Sequence, residues 1–547
     1  MGVDALVAEG RTALEAGRWD DARVAFEASL VSEESPEALD GLAEVRYWQG
    51  DYASAIDLRE RAYAAFRARG ETRYPARLAA YHLAFDYAAV HGNLAAANGW
   101  LERGRRLAEV SGDCPERGWV ELAGVLATDD LAEKERHIAA ALDIAERFGD
   151  TDLEFDALAY AGVALVERGR IHEGMRRLDE AAAAAQGGEV KSHTAAGEIY
   201  CKMLLACEMA LDVRRAEQWT DVANSLARRS NVAWASAICR MYYGGILTAA
   251  GRWAEAGDEL GTSARIYEGC YSALRSGAVV RLADLRVRQG RLEEAEQLLS
   301  GHEHDSYAVR PLARLHLTRG DVELASTLLR RHLSQHGEGV LQAPVLALLV
   351  EAEVAAGRLD EARTLCARLT TVVDGAPVPV LRAFAEFAAG LLGACSEDPG
   401  AVAHFEAALT GFGAAGLPLE EARTRVELAR LLSPIKPDLA LSEAKSALTV
   451  FDRLGAAPDA DAAASLLRVL GARGRTGPKN VGVLSKREHE VLQLLGLGLS
   501  NPEIAARLYI SRKTASHHVS NVLAKLGLRN RAEAAAFASS RPPDEPP

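Results

Sequence analysis

A row of hydrogen-bonding and basic side chains recurs at helical spacing near the C-terminus of this 547-residue chain. Its members are Lys513, Ser516, His517, Ser520, Asn521 and Lys525. Apolar residues of the same segment fall on the opposite face: Ala515, Val519, Val522, Leu523 and Leu526. The chemistry that such a polar face offers is noncovalent. Hydroxyl, amide and imidazole groups can bond to base edges, and cationic side chains can pair with phosphates.

Capping signals indicate where the helices of this region begin. Ser485-Lys-Arg-Glu488 and Ser500-Asn-Pro-Glu503 both have the spacing of a capping box, in which a serine and a glutamate satisfy each other's backbone N–H groups. Ser511 stands where a third helix would need its N-cap. The segment therefore predicts three helices in close succession.

The lengths of these helices suggest a helix-turn-helix. A short helix is predicted over 502–508, and a longer one runs from Ser511 to about Leu526, where Gly527 ends it. Asn530 can cap a short fourth helix over 531–539. A short helix, a tight turn and a longer helix with a polar outer face are typical of DNA-binding modules, in which the longer helix enters the major groove.

The charge distribution supports a basic module on an acidic body. The chain has a formal net charge of −14. Residues 484–540 carry eight basic and four acidic side chains, a net charge of +4, whereas residues 1–483 carry −17. This asymmetry is the electrostatic footprint expected when one small part of a protein meets nucleic acid.

A second pattern recurs along the preceding residues. It consists of a glycine, a large apolar residue two positions later and a small residue five positions later. The eight copies are Gly17/Trp19/Ala22, Gly50/Tyr52/Ala55, Gly92/Leu94/Ala97, Gly169/Ile171/Gly174, Gly251/Trp253/Ala256, Gly290/Leu292/Ala295, Gly320/Val322/Ala325 and Gly357/Leu359/Ala362. The period is about 38 residues, within the range of helical repeats.

Each copy fits the turn of a helical hairpin. The glycine would end the first helix in a left-handed conformation, the large residue would start the buried stripe of the second helix, and the small residue would allow close approach. Two glycine spacings, 77 and 82 residues, are close to two periods, so two degenerate copies are expected. Segments 380–412 and 417–454 read as helix pairs, and about three irregular hairpins are expected after Gly357.

These patterns predict an all-α chain with four parts. Residues 1–471 form the array of hairpins, and residues 472–483, rich in glycine and basic residues, form a flexible linker. Residues 484–540 form the helix-turn-helix domain. Residues 541–547 form a disordered tail.

The C-terminal segment resembles the LuxR-type DNA-binding domain from Leu484 to about Ala538, without a gap. The resemblance rests on the stretches LSKREHEVL, GLSNPEIA and LYIS, and on Thr514, His518, Lys525-Leu526-Gly527 and Arg531. It implies a four-helix domain, and it places the surface for dimer formation on the fourth helix, around 532–538.

The same resemblance assigns roles to individual positions. The base-facing residues would be Ser516, His517 and Ser520. The phosphate-contacting residues would be Lys513, Thr514, His518, Asn521 and Lys525. We also interpret Lys486, Arg487, Arg529 and Arg531 as phosphate contacts. Two positions depart from the family pattern, since Ser516 stands where lysine is frequent and Ala515 where valine is frequent.

Residues 5–470 resemble the tetratricopeptide repeat family in a loose, lengthened form. The whole chain resembles MalT-like regulators without their ATPase domain, because the phosphate-binding GxxxxGK[ST] motif is missing. The preferred interpretation is a bacterial transcription regulator in the cytoplasm, associated with the nucleoid when bound to DNA. Its expected partners are double-stranded DNA, a second copy of the chain on that DNA, and an effector or protein partner on the array. RNA polymerase is a further candidate.

One alternative stays open: a tetratricopeptide scaffold or adaptor whose C-terminal module contacts protein rather than DNA. An enzyme is not expected, and no catalytic residue, metal ligand or cofactor site is predicted. The N-terminal residues lack the features of a signal peptide, and no membrane contact is predicted. The seven cysteines are scattered without a CxxC pair, which favours buried reduced thiols.

Overall fold

The computed structural model describes residues 2–230, 237–269, 275–336, 339–375, 378–471, 486–508, 510–526, 528 and 531–539. Within these residues all regular structure is helical, which confirms the all-α prediction. The described chain divides into two compact units, Met1–Thr424 and Arg425–Pro547. The division falls earlier than the predicted end of the array at residue 471, and the predicted linker and tail lie outside the described residues, so the four-part organisation stays a prediction.

Most helices before residue 472 pack against the next helix in sequence and form hairpins. Their bounds are α1 Val3–Glu15, α2 Trp19–Ser32, α3 Pro36–Trp48, α4 Tyr52–Ala68, α5 Arg73–Arg77, α6 Ala84–Ala89, α7 Leu94–Val110, α8 Pro115–Leu126, α9 Leu131–Phe148, α10 Thr151–Glu167, α11 Ile171–Gly187, α12 His193–Ala210, α13 Val213–Ser230, α14 Ala237–Ala249, α15 Trp253–Gly269, α16 Arg275–Gln289, α17 Leu292–Leu299, α18 Val309–Arg319, α19 Val322–His336, α20 Ala343–Ala355, α21 Leu359–Asp374, α22 Pro379–Cys395, α23 Ala401–Ala415, α24 Pro418–Leu432, α25 Pro437–Leu454 and α26 Ala457–Val469. A π-helical stretch, Leu78–Leu83, joins α5 to α6. Single 3-10 turns, Ser306–Ala308 and Val340–Gln342, precede α18 and α20.

The turns confirm the predicted role of the repeat pattern. All eight repeat glycines have a positive φ, from 62° at Gly92 to 86° at Gly320. The large apolar residue that follows each glycine is the first residue of the next helix in every copy. The small residue five positions after the glycine is buried in every copy. At Gly174 a Cβ would lie 2.5 Å from the backbone oxygen of Gly162, so only glycine allows this approach of α10 and α11.

The two degenerate copies are also present. The pair α8 and α9 fills the first long gap, and the pair α12 and α13 fills the second. In the second pair Leu211 takes the glycine position with a φ of 54°, and Val213 and the fully buried Ala216 follow in register. The turn is therefore retained although its glycine is not.

Two details of the pattern were predicted wrongly. The large apolar residue does not always start a buried stripe, since the side chain of Leu94 is 67% exposed. After α21 the predicted helix pairs 380–412 and 417–454 are present as α22–α23 and α24–α25, but a single helix, α26, follows where a third irregular hairpin was expected.

The thiol prediction also needs a correction. Cys201 on α12 and Cys239 on α14 form a disulfide, with their Cα atoms 5.2 Å apart. Neighbouring first helices of two hairpins bring these residues together although 38 positions separate them in sequence. Cys114, Cys207, Cys366 and Cys395 are free, and Cys270 lies outside the described residues. Among the residues that the structure describes, no helix is long and apolar enough to cross a membrane.

Candidate nucleic-acid interface

The C-terminal domain contains four short helices around a small apolar core. They are α27 Lys486–Gly496, α28 Asn501–Arg507, α29 Arg512–Lys525 and α30 Arg531–Ser539. The core contains Val491, Leu492, Leu494, Leu495, Ile504, Ala505, Ala515, Val519, Val522 and Ala534. Leu508, Leu523 and Leu526 are partly buried against it. The predicted apolar face of α29 is thus confirmed.

The start of α28 is fixed by the predicted capping box. Glu503 Oε2 accepts hydrogen bonds from the Ser500 backbone N–H at 2.6 Å and from the Ser500 hydroxyl at 2.5 Å. These hydrogen bonds hold the pKa of the Glu503 carboxyl below its ordinary value. The box fixes the short helix that precedes the turn. The other predicted box begins at Ser485, which lies outside the described residues, as do Gly527 and Asn530.

The start of α29 is fixed by Ser511, as predicted. Its hydroxyl oxygen accepts a hydrogen bond from the Thr514 backbone N–H at 3.1 Å. The Thr514 hydroxyl lies 2.7 Å from the same oxygen. Thr514 is exposed, so this predicted phosphate contact belongs to the cap and also faces solvent. The first turn of α29 is therefore ordered before any contact with DNA.

Two predicted base-facing residues share an exposed face of α29. Ser516 and Ser520 are exposed and lie four residues apart, which places them on one side of the helix. Neither makes a hydrogen bond with another residue that the structure describes, and the partly exposed Asn521 makes none either. Their hydrogen-bonding groups are consequently available to a ligand.

The other predicted positions divide into two groups. The side chains of Lys513, His517 and Lys525 lie outside the described part of the structure, although their backbone belongs to α29. His518 is half-buried, and its Nδ1 atom is buried without a hydrogen-bond partner in the described domain. One nitrogen of His518 is thus turned toward the protein, and its role as a phosphate contact stays a prediction.

Two of the additional arginines are used within the domain. The Arg487 guanidinium donates to Glu490 at 2.6 Å and to the backbone oxygen of Leu508. Arg531 donates to Asn501 Oδ1 at 3.0 Å. These hydrogen bonds tie α27 to the end of α28 and α30 to the start of α28. Both arginines thus have partners inside the domain, and their interpretation as phosphate contacts stays a prediction.

Sequence reasoning missed two better candidates. Arg507 ends α28 and Arg512 begins α29, so the pair flanks the turn of the helix-turn-helix. Both side chains are exposed, and neither pairs with another residue in the described chain. A basic residue on each side of the turn was the available signal, since phosphate contacts fix the register of such motifs on DNA.

Comparison with known proteins agrees with this geometry. Residues 482–538 match the family described as bacterial regulatory proteins, luxR family. The C-terminal segment is a LuxR-type helix-turn-helix domain. The chain shares 40% identity over 90 residues with the DNA-binding transcriptional activator DevR/DosR of Mycobacterium tuberculosis. These residues are 16% of this chain and 41% of that protein. The chain shares 48% identity over 60 residues with the transcriptional regulatory protein LnrK of Bacillus subtilis, 11% of this chain and 27% of that protein.

The chain thus spans less than half the length of these curated relatives. Two solved structures, the APC/C hetero-tetramer Cut9–Hcn1 and yeast Tom70, are similar to the chain over 86% of its length, each at 13% identity. The TM-scores are 0.37 and 0.32, and the matches cover 96% and 97% of those chains.

Proposed function

We propose that this chain is a DNA-binding transcription regulator whose helix α29 enters the major groove and whose helical array binds an effector or a protein partner. The observation that carries the proposal is the unused polar face of α29 in a LuxR-type domain. Ser516 and Ser520 are exposed one turn apart, and neither makes a hydrogen bond with another residue that the structure describes. Hydroxyl groups at such positions can hydrogen-bond to base edges in the major groove.

Affinity would come from the phosphates on either side of this face. Arg507, Arg512 and the predicted phosphate contacts would displace counterions, so binding should weaken steeply as salt rises. A second copy of the chain, joined through α30, would match an inverted repeat in DNA. We place the protein in the bacterial cytoplasm and on the nucleoid when bound.

The experiment begins with the purified full chain and fragmented genomic DNA. Bound fragments are sequenced at two salt concentrations, and the recovered site is then used in titrations with variants. Recovery of one recurrent, roughly palindromic site at the higher salt is the expected result. Binding that vanishes at the higher salt without sequence preference would contradict specific regulation and favour the adaptor alternative.

Variants separate the two kinds of contact. Arg507→Ala with Arg512→Ala should weaken binding to every sequence and reduce the slope of log affinity against log salt by about 2, one for each lost phosphate contact. Ser516→Ala with Ser520→Ala should instead reduce the preference for the recovered site over unrelated DNA. Gln493→Ala, an exposed polar residue on α27, is the matched control and should change neither quantity.

A further inference from the structure

A cavity of about 280 Å³ lies inside the array, within the unit Met1–Thr424. The first helices of six successive hairpins each contribute to its wall: Glu208 from α12, Thr248 from α14, Arg281 from α16, Arg310 from α18, Pro344 from α20 and Phe384 from α22. The volume lies near the lower end for small-molecule sites. No motif of the sequence pointed to this cavity, because residues from 208 to 420 meet there only through the stacking of hairpins.

Two of its three guanidinium groups are already neutralised. Arg281 donates from Nε and Nη2 to the two carboxylate oxygens of Glu208, both at 2.7 Å. The ring of Tyr307 also lies over this guanidinium, 4.0 Å from centroid to Cζ. Arg288 donates to Asp284 at 2.9 Å and to Glu420 at 3.0 Å. These pairs account for all three carboxylates in the wall of the cavity.

The third guanidinium, that of Arg310, has no such partner. It lines the same cavity but forms no hydrogen bond or ion pair with any residue that the structure describes. Its pKa lies below the ordinary value, because desolvation and the repulsion of Arg288 and Arg314 outweigh the attraction of Asp284 and Glu420. A guanidinium keeps its charge in proteins, so the donors of a half-buried one without a hydrogen-bond acceptor are open to an anion that enters the cavity.

The rest of the cavity wall is suited to a ligand with an apolar or planar part. Met209, Leu211, Val309, Leu341, Val345, Phe384 and Leu417 supply apolar surface. His332 and His336 also line the cavity, and their rings stack with centroids 4.3 Å apart. Sites of this composition bury the body of a small ligand and orient it with a few polar groups.

We propose that this cavity binds a small monocarboxylate, whose carboxylate pairs with Arg310 and whose apolar or aromatic body packs against the surrounding wall. The planar guanidinium offers two parallel N–H donors to such a group. The charges of the cavity wall favour a ligand with one carboxylate over a ligand with two. The carboxylates of Glu208, Asp284 and Glu420 would repel a second one, and no other unpaired cation lines the cavity among the described residues.

This inference rests on the effector role of the array in the proposed function, and its test does not require DNA. The full chain is titrated by calorimetry with benzoate, phenylacetate and hexanoate, with their primary amides as neutral controls and with inorganic phosphate. At least one carboxylate should bind measurably better than its amide and better than phosphate. Equal binding of acid and amide, preference for phosphate, or no binding of any carboxylate would overturn the proposal.

Variants of α18 identify the contact. Arg310→Gln should weaken carboxylate binding at least about tenfold, since a hydrogen bond between charged groups is lost. Arg310→Lys should restore part of it, because the charge returns without the paired donors. Arg319→Gln, on the same helix but paired with Glu296 at the surface, is the control and should bind like the parent chain. Unchanged binding by Arg310→Gln would place the ligand elsewhere.

The melting temperature of Arg310→Met separates a binding role from a structural one. A residue that holds the fold together should lower the melting temperature when it is replaced, whereas an unpaired guanidinium should not. DNA binding is measured in the same preparations. In the parent chain, absence of carboxylate binding together with intact DNA binding would reject only the cavity proposal. Carboxylate binding without DNA binding would reject the regulator.

Discussion

The array and the C-terminal domain differ in whether their polar side chains have partners within the protein. In the array, several buried charged side chains form ion pairs, as in Arg59–Asp86 and Arg281–Glu208. On α29, the hydroxyls of Ser516 and Ser520 face solvent without a partner in the described domain. Under the proposed function, pairing would distinguish polar groups that hold a fold together from polar groups that bind a ligand. Arg310 is informative because it lies in the array but, like the hydroxyls of α29, has no hydrogen-bond partner among the described residues.

The largest expected effect comes from breaking a buried pair of the array. Arg59 Nη1 donates to Asp86 Oδ2 at 2.6 Å, and the two side chains are only 4% and 2% exposed. Asp86→Ala should lower the free energy of unfolding by about 3–5 kcal/mol, because it leaves an unpaired buried charge. Urea unfolding followed by circular dichroism measures the loss.

The controls for this prediction use one exposed pair and one double variant. Asp360→Ala removes an ion pair whose side chains are 61% and 97% exposed, so the loss should stay below about 1 kcal/mol. Replacing both Arg59 and Asp86 by apolar residues should recover much of the stability. Equal losses for Asp86→Ala and Asp360→Ala would show that burial does not set the value of pairing in this array.

The second effect concerns the covalent link between α12 and α14. Cys201→Ser with Cys239→Ser should lower the melting temperature in oxidising buffer, since the link restricts the unfolded chain and such links contribute roughly 2–4 kcal/mol. Differential scanning calorimetry with and without dithiothreitol measures this. The parent chain should respond to reduction and the double variant should not. Cys395→Ser, which removes an exposed free thiol, is the control. A double variant that melts like the parent chain in oxidising buffer would contradict the prediction.

A buried carboxyl of α10 should make the stability of the array depend on pH. Asp156 is fully buried and accepts one hydrogen bond, from Tyr81 at 2.8 Å. Burial, reinforced by the negative charge of Glu198 and opposed by Lys202, raises the pKa of Asp156 from 3.8 to about 7. Because the folded chain holds the proton more tightly, its contribution to stability is complete below about pH 4 and is lost as the pH rises through about 7.

Asp156→Asn tests this direction, since the amide stays neutral and still accepts the hydrogen bond from Tyr81. The melting temperature of the parent chain should fall relative to that of the variant between pH 4 and pH 7.5. Asp129→Asn, at an exposed position, should follow the parent chain throughout. A difference between Asp156→Asn and the parent that does not change with pH would contradict the raised pKa.

How far the sequence predicts the structure differs between these regions for physical reasons. The repeat turns follow from local chemistry, so the positive φ of the glycines and the burial of the small residues were predictable. Leu211 adopts the same turn without the residue that favours it, because the packing of Ala216 and its neighbours fixes the conformation. The cavity around Arg310 was not predictable, because six hairpins must stack before its wall exists.

In the domain, sequence type alone could not separate arginines that hold the fold from those that face DNA. Arg487 and Arg512 differ only in their surroundings: the first donates to Glu490 and Leu508, whereas the second is exposed and unpaired within the described residues. Arg487→Ala should therefore speed hydrogen exchange across residues 486–508 by several-fold, since a charge-assisted hydrogen bond contributes about 1.5–3 kcal/mol and this one is half-exposed. Mass spectrometry of the full chain measures the exchange.

Arg512→Ala provides the matched comparison and the smallest expected structural effect. It should leave hydrogen exchange over the same residues unchanged while weakening DNA binding, because its guanidinium contacts solvent rather than protein. Arg487→Ala should weaken DNA binding only to the extent that it loosens the domain. If both variants loosened the domain equally, the distinction between paired and unpaired arginines would fail at the positions where their surroundings differ most clearly.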